Sequence, residues 1–414
     1  MQITGSHLVG FLALTTTLAA GAADWPQFRG PNRDDISRET GLLTEWPKGG
    51  PPLAWKAQGL GKGYSSVAVV GDRIYTAGDD ADSSYIRALD TAGKHVWRAP
   101  LGKPAAPGGY DGTRATPTVD GELVFMLGQV GDLVCVNAAT GKEIWRKDLR
   151  KDFGGQVGGW GYSESPLVDG ERLIVSPGGK GGTLAALNKT TGAVLWRTKD
   201  FTDGAEYVSP ILATIGGVPQ YVQLTQRSLA GIDPKTGDVL WQAPRRGSTA
   251  VIPTPVQADD LIFVTSGYGV GCNAFKITKS PGGFTAEETY SNKSMVNHHG
   301  GVILLDGFIY GHSESKESKD WVCMDFKTGD VKWSSRGVGK GSVTFADGHL
   351  YLRSEGGPGT VALVEPSPAA YKETGRFDQP DRSTKNSWAH PVVANGKLYL
   401  RDQGTLLCYD IKAK

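Results

Sequence analysis

Short runs of alternating apolar and polar residues fill the chain from about residue 53 onward, and glycine- or aspartate-containing turns separate them. One group comprises Ala115–Val119, Glu122–Leu127, Leu133–Asn137 and Glu143–Arg146. A period of two is typical of strands, and a dipeptide such as Asp120-Gly121 favours a tight hairpin. The pattern therefore predicts an all-β chain built from groups of four short antiparallel strands.

A tryptophan four residues after a glycine marks the last strand of most groups. These tryptophans are Trp97, Trp145, Trp196, Trp241 and Trp333, and Trp55 precedes the first group. A unit that recurs about every 45 residues is typical of the blades of a β-propeller. We expect the indoles to fill the wedges between neighbouring blades. Two blades lack the tryptophan, and we expect Phe284 or Tyr290 to replace it in the fifth and Tyr371 or Phe377 in the seventh.

The number of first-strand turns predicts eight blades. These turns are Gly71-Asp72, Asp120-Gly121, Asp169-Gly170, Gly216-Gly217, Asp259-Asp260, Asp306-Gly307, Asp347-Gly348 and Asn395-Gly396. The last unit, Pro391–Lys412, supplies only three strands. We predict that Leu53–Lys56 adds the fourth, which closes the ring and removes its exposed edges.

Composition and the N-terminus indicate export. The 414 residues carry a formal net charge of +1, so there is no electrostatic reason to expect nucleic acid as a partner. Residues 1–23 lack Lys, Arg, Asp and Glu and end in small residues, as a signal peptide does. We expect a monomeric periplasmic or secreted protein, with a segment at 24–52 packed on a propeller at 53–414. No other run is long and apolar enough for a membrane span.

The cysteines are predicted to be free and buried. Cys135, Cys323 and Cys408 occupy the same place in their repeats. Equivalent positions in separate blades lie too far apart for a disulfide. We expect them to act as small buried side chains.

The connections between strands indicate which face carries a site. In a four-stranded meander, the first and third connections emerge on one face, and the second and fourth on the other. The first and third are short and uniform, as in Asp120-Gly121 and Thr140-Gly141, whereas the others vary. Variable loops on a rigid scaffold usually carry function. We therefore expect the site at the channel mouth on the second face.

Two rings of residues lead into the eight innermost strands. The first ring comprises Tyr64, Arg114, Ser163, Tyr207, Ile252, His298, Lys340 and Trp388. The second ring comprises Ser66, Thr116, Ser165, Ser209, Thr254, Gly300, Ser342 and His390. The second ring is mostly small, whereas the first holds charged and aromatic residues. This contrast predicts a polar pocket.

Histidines are the candidates for acid–base chemistry. His298 with His390 suits proton transfer, and His298 with His312 would suit a metal, although their spacing is no recognised metal pattern. We therefore predict no metal site. His299 adjoins His298 and is a ligand-binding candidate. The alternative for each of these histidines is a structural role, in which hydrogen bonds within the protein engage the imidazole.

Cationic and aromatic residues are the candidates for ligand binding. Arg114 and Lys340 suit a carboxylate or sulfate group, unless they are paired surface charges. Trp388 and the segment around Trp160 suit stacking on a sugar or quinone ring, unless they pack under a loop. Tyr64 and Tyr207 complete the set, and Tyr207 is also a catalytic candidate with His298 and His390.

The repeats resemble a known family. Leu187–Trp196 is similar to the pyrroloquinoline-quinone (PQQ) repeat, and the resemblance covers Asp24–Lys414. The strings Asp24–Pro31 and Asn297–Gly301 are typical of exported PQQ-like propellers without assigned chemistry. Quinoprotein dehydrogenases of this type hold PQQ and calcium against a pair of adjacent cysteines. This chain has no adjacent cysteines and no counterpart of their carboxylates, so we expect no cofactor.

The second characterised relative is the propeller scaffold of the outer-membrane β-barrel assembly machinery, a lipoprotein that binds proteins. The lipid-modified cysteine of that scaffold is missing here. We therefore expect an exported binding or scaffold module for a protein or a glycan, without PQQ. A polysaccharide lyase is the alternative, with Arg114 or Lys340 offsetting the uronate charge, His298 as base and Tyr207 as acid. A PQQ-dependent dehydrogenase with calcium is the other alternative.

Overall fold

The computed structural model describes residues 24–316 and 319–413, so the predicted signal peptide lies outside the described residues. Eight antiparallel sheets follow one another around a central channel, which confirms the predicted eight-bladed propeller. The described residues include two short helices, the 3-10 helix Pro107–Gly109 and the α-helix Leu149–Phe153. Neither these nor any other described helix has the length and apolar character needed to cross a membrane.

Blades one to four each consist of four consecutive strands, of which the first lines the channel. The strands are Ala68–Val70, Arg73–Asp79, Ser84–Asp90 and His95–Gly102 in blade one; Thr118–Asp120, Leu123–Leu127, Asp132–Asn137 and Glu143–Asp148 in blade two; Leu167–Asp169, Arg172–Val175, Ala185–Asn188 and Val194–Arg197 in blade three; and Ile211–Ile215, Val218–Leu224, Ser228–Ile232 and Val239–Pro244 in blade four. All four first turns fall where the sequence predicts them.

Blades five to seven repeat this order, and blade eight has three consecutive strands. The strands are Val256–Ala258, Leu261–Ser266, Gly271–Ser280 and Gly283–Asn292 in blade five; Val302–Leu305, Phe308–Glu314, Lys319–Asp325 and Val331–Ser335 in blade six; Gly341–Ala346, His349–Ser354, Val361–Glu365 and Lys372–Phe377 in blade seven; and Val392–Ala394, Lys397–Asp402 and Thr405–Asp410 in blade eight. Leu53–Ala57 pairs with the last of these, with Trp55 opposite Cys408. The predicted closure of the ring is therefore confirmed.

The repeated tryptophans join each blade to the next. The Trp97 indole donates a hydrogen bond to the carbonyl of Ala138 (3.0 Å), and Trp145 donates to Lys189 (2.9 Å). The Trp97 ring also covers the repeat glycine of the next blade, because a Cβ on Gly141 would lie 2.6 Å from it. The glycine and the tryptophan of one repeat therefore contribute to two successive interfaces between blades.

Tyr290 replaces the tryptophan in blade five. It lies opposite Ala274, next to the strand bulge that also accompanies the tryptophans. Its hydroxyl donates a hydrogen bond to the carbonyl of Phe326 (2.9 Å) in the next blade. Of the two residues that the sequence offers for this place, Tyr290 is the one that the structure supports.

The corresponding prediction for blade seven, Tyr371 or Phe377, is wrong. The equivalent place is Gly375, opposite Leu363 at the bulge. Trp46, from the N-terminal segment, packs there, and a Cβ on Gly375 would lie 2.6 Å from its Cβ. Its ring centroid is 5.8 Å from that of Tyr351. In blade seven, Trp46 from a distant part of the chain therefore takes the place of the repeat tryptophan.

The N-terminal segment also runs through the channel. Arg33 donates from Nη1 to the carbonyls of Ser165 and Pro210, both at 3.0 Å. Arg29 donates from Nη2 to the carbonyl of Val302 (2.7 Å) on the other side of the ring. A two-residue strand, Ile36–Ser37, then pairs in parallel with the innermost strand of blade seven. These contacts bind opposite blades together and close the channel below its mouth.

All four cysteines are free and buried, which confirms the prediction for Cys135, Cys323 and Cys408. Burial raises the pKa of the Cys135 thiol to about 12. These thiols are therefore protonated and contribute to blade packing.

Candidate functional site

A cavity of about 330 Å³ lies at the channel mouth, on the face formed by the second and fourth connections of the blades. All eight residues of the first ring line this cavity. Five members of the second ring also line it, namely Ser66, Thr116, Ser209, Thr254 and His390, whereas the other three, Ser165, Gly300 and Ser342, do not. His312, the predicted partner of His298 in a metal site, does not line it either. Phe28 and Arg29 of the N-terminal segment contribute as well. We call this cavity the mouth pocket.

Lys340 is surrounded by groups that compensate its charge. Its Nζ lies 2.6 Å from His298 Nδ1, 3.0 Å from Glu314 Oε1 and 3.3 Å from Glu355 Oε1. The same His298 nitrogen also lies 3.2 Å from Glu314 Oε2. The other ring nitrogen, Nε2, lies 2.9 Å from the Tyr268 hydroxyl. We call these five residues the Lys340 cluster.

The cluster holds its carboxylates in the charged form. Burial alone would raise the pKa of Glu314, but hydrogen bonds from His298 and Lys340 outweigh it and lower the pKa to about 2. Burial acts in the same direction on Glu355, and contacts with His299 and Lys340 hold its pKa below the usual value. Burial lowers the pKa of His299 to about 4. At neutral pH the two carboxylates are therefore ionised and His299 is neutral.

A continuous set of rings extends from this cluster across the pocket wall. The centroids of His298 and His299 are 3.6 Å apart, and His299 stacks on Trp388 at 4.4 Å with an interplanar angle of 18°. Tyr64 and Tyr110 also pack against Trp388, at 4.4 and 4.9 Å. The Trp388 indole is therefore packed among three rings of its own chain, as in the packing alternative that the sequence leaves open.

His390 anchors the N-terminal segment. Its Nδ1 lies 2.9 Å from Asp35 Oδ2, and its Nε2 lies 3.0 Å from the carbonyl of His299. Asp35 in turn forms an ion pair with Arg29 at 3.0 Å, and both side chains are fully buried. Since both ring nitrogens of His390 are engaged, its contacts are those of a structural histidine.

Arg114 differs from the other pocket cations. It donates to three backbone carbonyls, those of Gly112 (3.1 Å), Pro107 (3.0 Å) and Tyr110 (2.9 Å). Among the described residues no carboxylate forms an ion pair with it. A guanidinium has five N–H donors, so the Nε–H and one Nη1–H remain without a protein partner in this part of the chain. The buried Asp79 carboxylate acts on the Arg114 charge without forming an ion pair with it.

Tyr207 and Trp160 lie beside Arg114. The Tyr207 hydroxyl accepts a hydrogen bond from the Trp160 backbone N–H (3.3 Å), and the two rings meet edge to face at 6.0 Å. Burial raises the pKa of Tyr207 to about 12. The hydroxyl is therefore neutral at pH 7 and is able to donate a hydrogen bond into the pocket.

Several pocket residues are absent from the sequence-based candidates. Tyr110 and Tyr268 are 38% and 44% exposed at the rim, and Tyr268 has a φ of 55°, which is unusual for an aromatic residue. Tyr268 stands between two glycines in a variable connection, a pattern that points to a loop tip. Glu314 and Glu355 lie at or just after the ends of second strands, where the chain turns toward the mouth. An acidic residue at that place in a repeat is the signal that sequence reasoning missed.

A family model described as "Outer membrane protein assembly factor BamB" matches residues 82–335, which is more than half of the chain. The chain belongs to this family. A relative of that name from Burkholderia pseudomallei (strain K96243) is 27% identical over 264 residues, covering 52% of this chain and 66% of the relative. Another, from Shewanella oneidensis (strain MR-1), is 29% identical over 253 residues, covering 58% and 61%. The chain thus spans less than two thirds of the length of either relative.

Solved structures share the fold of this BamB-family propeller. BamB from Moraxella catarrhalis superposes with a TM-score of 0.61 at 15% identity, covering 87% of this chain and 98% of that one. Quinohemoprotein alcohol dehydrogenase from Comamonas testosteroni superposes with a TM-score of 0.64 at 14% identity, covering 95% and 81%. At such low identity the likeness concerns the fold alone.

The mouth pocket does not fit PQQ with calcium. Calcium takes six to eight oxygen ligands, whereas Glu314 and Glu355 are held by Lys340 and histidines, and Asp35 is held by Arg29. No group of three or more His, Cys, Asp or Glu within residues 24–316 and 319–413 is arranged as metal ligands. None of the four cysteines lines the pocket. The donor set is therefore unlike the one that the quinoprotein resemblance implies.

Proposed function

We propose that this chain is an exported, monomeric binding module that acts in the periplasm and holds part of a protein or a glycan in the mouth pocket. It acts without PQQ and without chemical turnover. The observation that carries this proposal is the convergence of all eight non-repeating first-ring residues on one pocket. The N-terminal segment closes the channel beneath that pocket, and a concave site with a few polar groups is the usual form of a binding site.

The protonation states in the pocket support binding rather than catalysis. General acids and bases work best when their pKa lies near the operating pH. The pKa of His299 is about 4, that of Tyr207 is about 12 and that of Glu314 is about 2. Lys340 and His298, which remain as candidates, are engaged with each other and with Glu314.

Protein partners are the second part of the proposal. The relatives in this family are named as outer membrane protein assembly factors. Exposed Tyr110 and Tyr268 at the pocket rim supply the large aromatic contacts that are common in protein interfaces. We propose that a partner docks on this rim.

Fluorescence titration and turnover assays test this function together. Trp160 lines the pocket, so a panel of peptides and glycans added to the mature chain should give a saturable change in tryptophan fluorescence. Trp160→Phe should reduce that change, which would assign the signal to the pocket. Incubation with PQQ and calcium should give no dye reduction. Turnover that is lost in Tyr207→Phe or His298→Ala, with the fold intact, contradicts the proposal.

A lyase acting on uronic polysaccharides is the second candidate. The Arg114 guanidinium, which contacts only backbone carbonyls, lies beside the neutral Tyr207 hydroxyl. This pair favours a lyase, because such a reaction needs a cation at the carboxylate and an acid for the leaving oxygen. Its test is the ultraviolet absorbance of unsaturated sugars during incubation with polyuronates. An increase that Tyr207→Phe abolishes supports the lyase, and no increase across the panel excludes it.

A further inference from the structure

Only one of the three cations that line the mouth pocket in the described structure lacks an ionic partner. Arg29 forms an ion pair with Asp35, and Lys340 forms ion pairs with Glu314 and Glu355. Arg114 contacts only backbone carbonyls and retains two N–H donors. A partly buried cation without an ion-pair partner is costly, and an anionic ligand would reduce that cost. Arg114 is therefore the recognition point for a negative charge.

Aromatic side chains adjoin this recognition point. Tyr110 is 38% exposed, and its carbonyl binds Arg114 directly. Trp160 packs so closely on Gly108 that a Cβ there would lie 2.3 Å from the indole. The connection that holds Arg114 therefore also fixes the position of Trp160. An anion at Arg114 would lie next to flat apolar surfaces that suit a ring.

Hydroxyl groups line the wall and floor of the same pocket. Ser163, Ser209 and Thr254 all contribute to it. Thr254 is only 3% exposed, and its hydroxyl has no hydrogen-bond partner in the described structure. A sugar offers hydroxyl groups around its whole edge, whereas an acidic peptide side chain offers one carboxylate on an apolar stem. The combination of cation, aromatic rings and hydroxyls favours an acidic sugar over a peptide.

We propose that the mouth pocket binds a glycan through a uronic acid residue. The free N–H groups of Arg114 donate to its carboxylate, and its ring packs on Tyr110 and Trp160. This inference rests on the proposed binding function and specifies its ligand. No bond is made or broken in this process.

Titration calorimetry on the mature chain tests the inference with three probes: a trigalacturonate, its methyl ester and a glutamate-rich peptide. The trigalacturonate should bind at least about tenfold more tightly than the other two, because hydrogen bonds from Arg114 to a carboxylate are stronger than those to a neutral ester. Arg114→Gln should weaken its binding by a similar factor. The control is Arg197→Gln, since Arg197 also donates to a backbone carbonyl, that of Phe153, but lies outside the pocket. It should leave the affinity unchanged.

Each other outcome separates this inference from the proposed function. Equal binding of the ester and the acid overturns the inference and leaves the binding function in place. If the glutamate-rich peptide binds at Arg114 and the trigalacturonate does not, the inference is again overturned and the binding function again stays in place. If none of the probes binds, the uronate inference is wrong, and the wider ligand panel then decides on the binding function. Binding of trigalacturonate with growing ultraviolet absorbance supports the inference and contradicts a function without turnover.

Discussion

The two sides of the mouth pocket carry the same charge but differ in how that charge is compensated. On one side, Lys340 contacts two carboxylates and a histidine. On the other side, Arg114 contacts only backbone carbonyls. Both cations belong to the first ring and therefore come from equivalent places in the repeat. Equivalent positions in a repeat fold can therefore serve different purposes, since neighbouring loops decide what each side chain contacts.

This difference suggests a division of roles. The ammonium and the two carboxylates of the Lys340 cluster contact one another and therefore stabilise the loops of blades six and seven. Arg114 leaves donors free and therefore contributes more to ligand binding than to stability. Each of the following predictions contrasts the two sides, from the largest expected effect to the smallest.

The largest contrast concerns pH. His299 faces Glu355, His298 and Lys340, and burial lowers its pKa from 6.5 to about 4. Its contribution to stability is therefore complete above pH 6.5 and is lost as the pH falls toward 4. At about 1.4 kcal/mol per pKa unit the full effect is about 3.5 kcal/mol, of which roughly 3 kcal/mol is lost between pH 6.5 and pH 4.

Urea unfolding at several pH values measures this effect. The free energy of unfolding should fall less steeply from pH 6.5 to 4 in His299→Gln than in the wild type, because glutamine does not titrate. An Arg114→Gln variant should keep the wild-type slope. Parallel curves for the wild type and His299→Gln contradict the assigned protonation state.

The second contrast concerns removal of the paired cation. Lys340→Met leaves the Glu314 and Glu355 side chains, 27% and 14% exposed, facing each other without a cation. We expect a loss of about 2 kcal/mol, less than the roughly 3–5 kcal/mol of a fully buried pair. Chemical denaturation measures it.

A matched control for this change is Lys189→Met, outside the pocket. Lys189 also contacts two carboxylates, Asp120 and Glu171, but these are more exposed and are able to return to water. The control should lose about 1 kcal/mol or less. Equal losses at the two lysines would show that the Lys340 cluster has no special structural role.

The third contrast concerns the unpaired cation. Arg114→Gln gives up contacts with three carbonyls but leaves no carboxylate unpaired. We expect a stability loss of about 1 kcal/mol, near the value for a typical hydrogen bond, and a much larger relative effect on ligand affinity. Thermal unfolding beside calorimetric titration measures both. A loss of stability above that of Lys340→Met contradicts the division of roles.

The smallest effect concerns the rim tyrosines. Tyr268→Phe removes the hydroxyl that contacts His298 and should cost about 0.5 kcal/mol. Tyr110→Phe is the control, because the Tyr110 hydroxyl forms no hydrogen bond with the described residues. Its unfolding midpoint in urea should match the wild type. If both variants behave alike, the Tyr268 hydroxyl does not belong to the Lys340 cluster.

The propeller is predictable from the sequence because its determinants are local. The Gly141 turn and Trp145 lie in one repeat. Counting the first-strand turns, such as Asp120-Gly121, gives eight blades, and the three-stranded last unit predicts closure by Leu53–Lys56. Trp46 is not predictable in this way, because it enters blade seven from a distant segment. The contact partners of the pocket residues are likewise not predictable from the local sequence. The first ring follows from repeat alignment, but the contact between Lys340 and Glu314 joins residues of two blades.

The central claim is that Arg114 has free donors that bind a ligand carboxylate. A crystal structure of the mature chain grown with trigalacturonate tests it most directly. The account predicts a uronate carboxylate within hydrogen-bond distance of Arg114 Nε or Nη1, with its ring against Tyr110 or Trp160. A uronate bound elsewhere, with Arg114 still contacting only the carbonyls of its own loop, would contradict it.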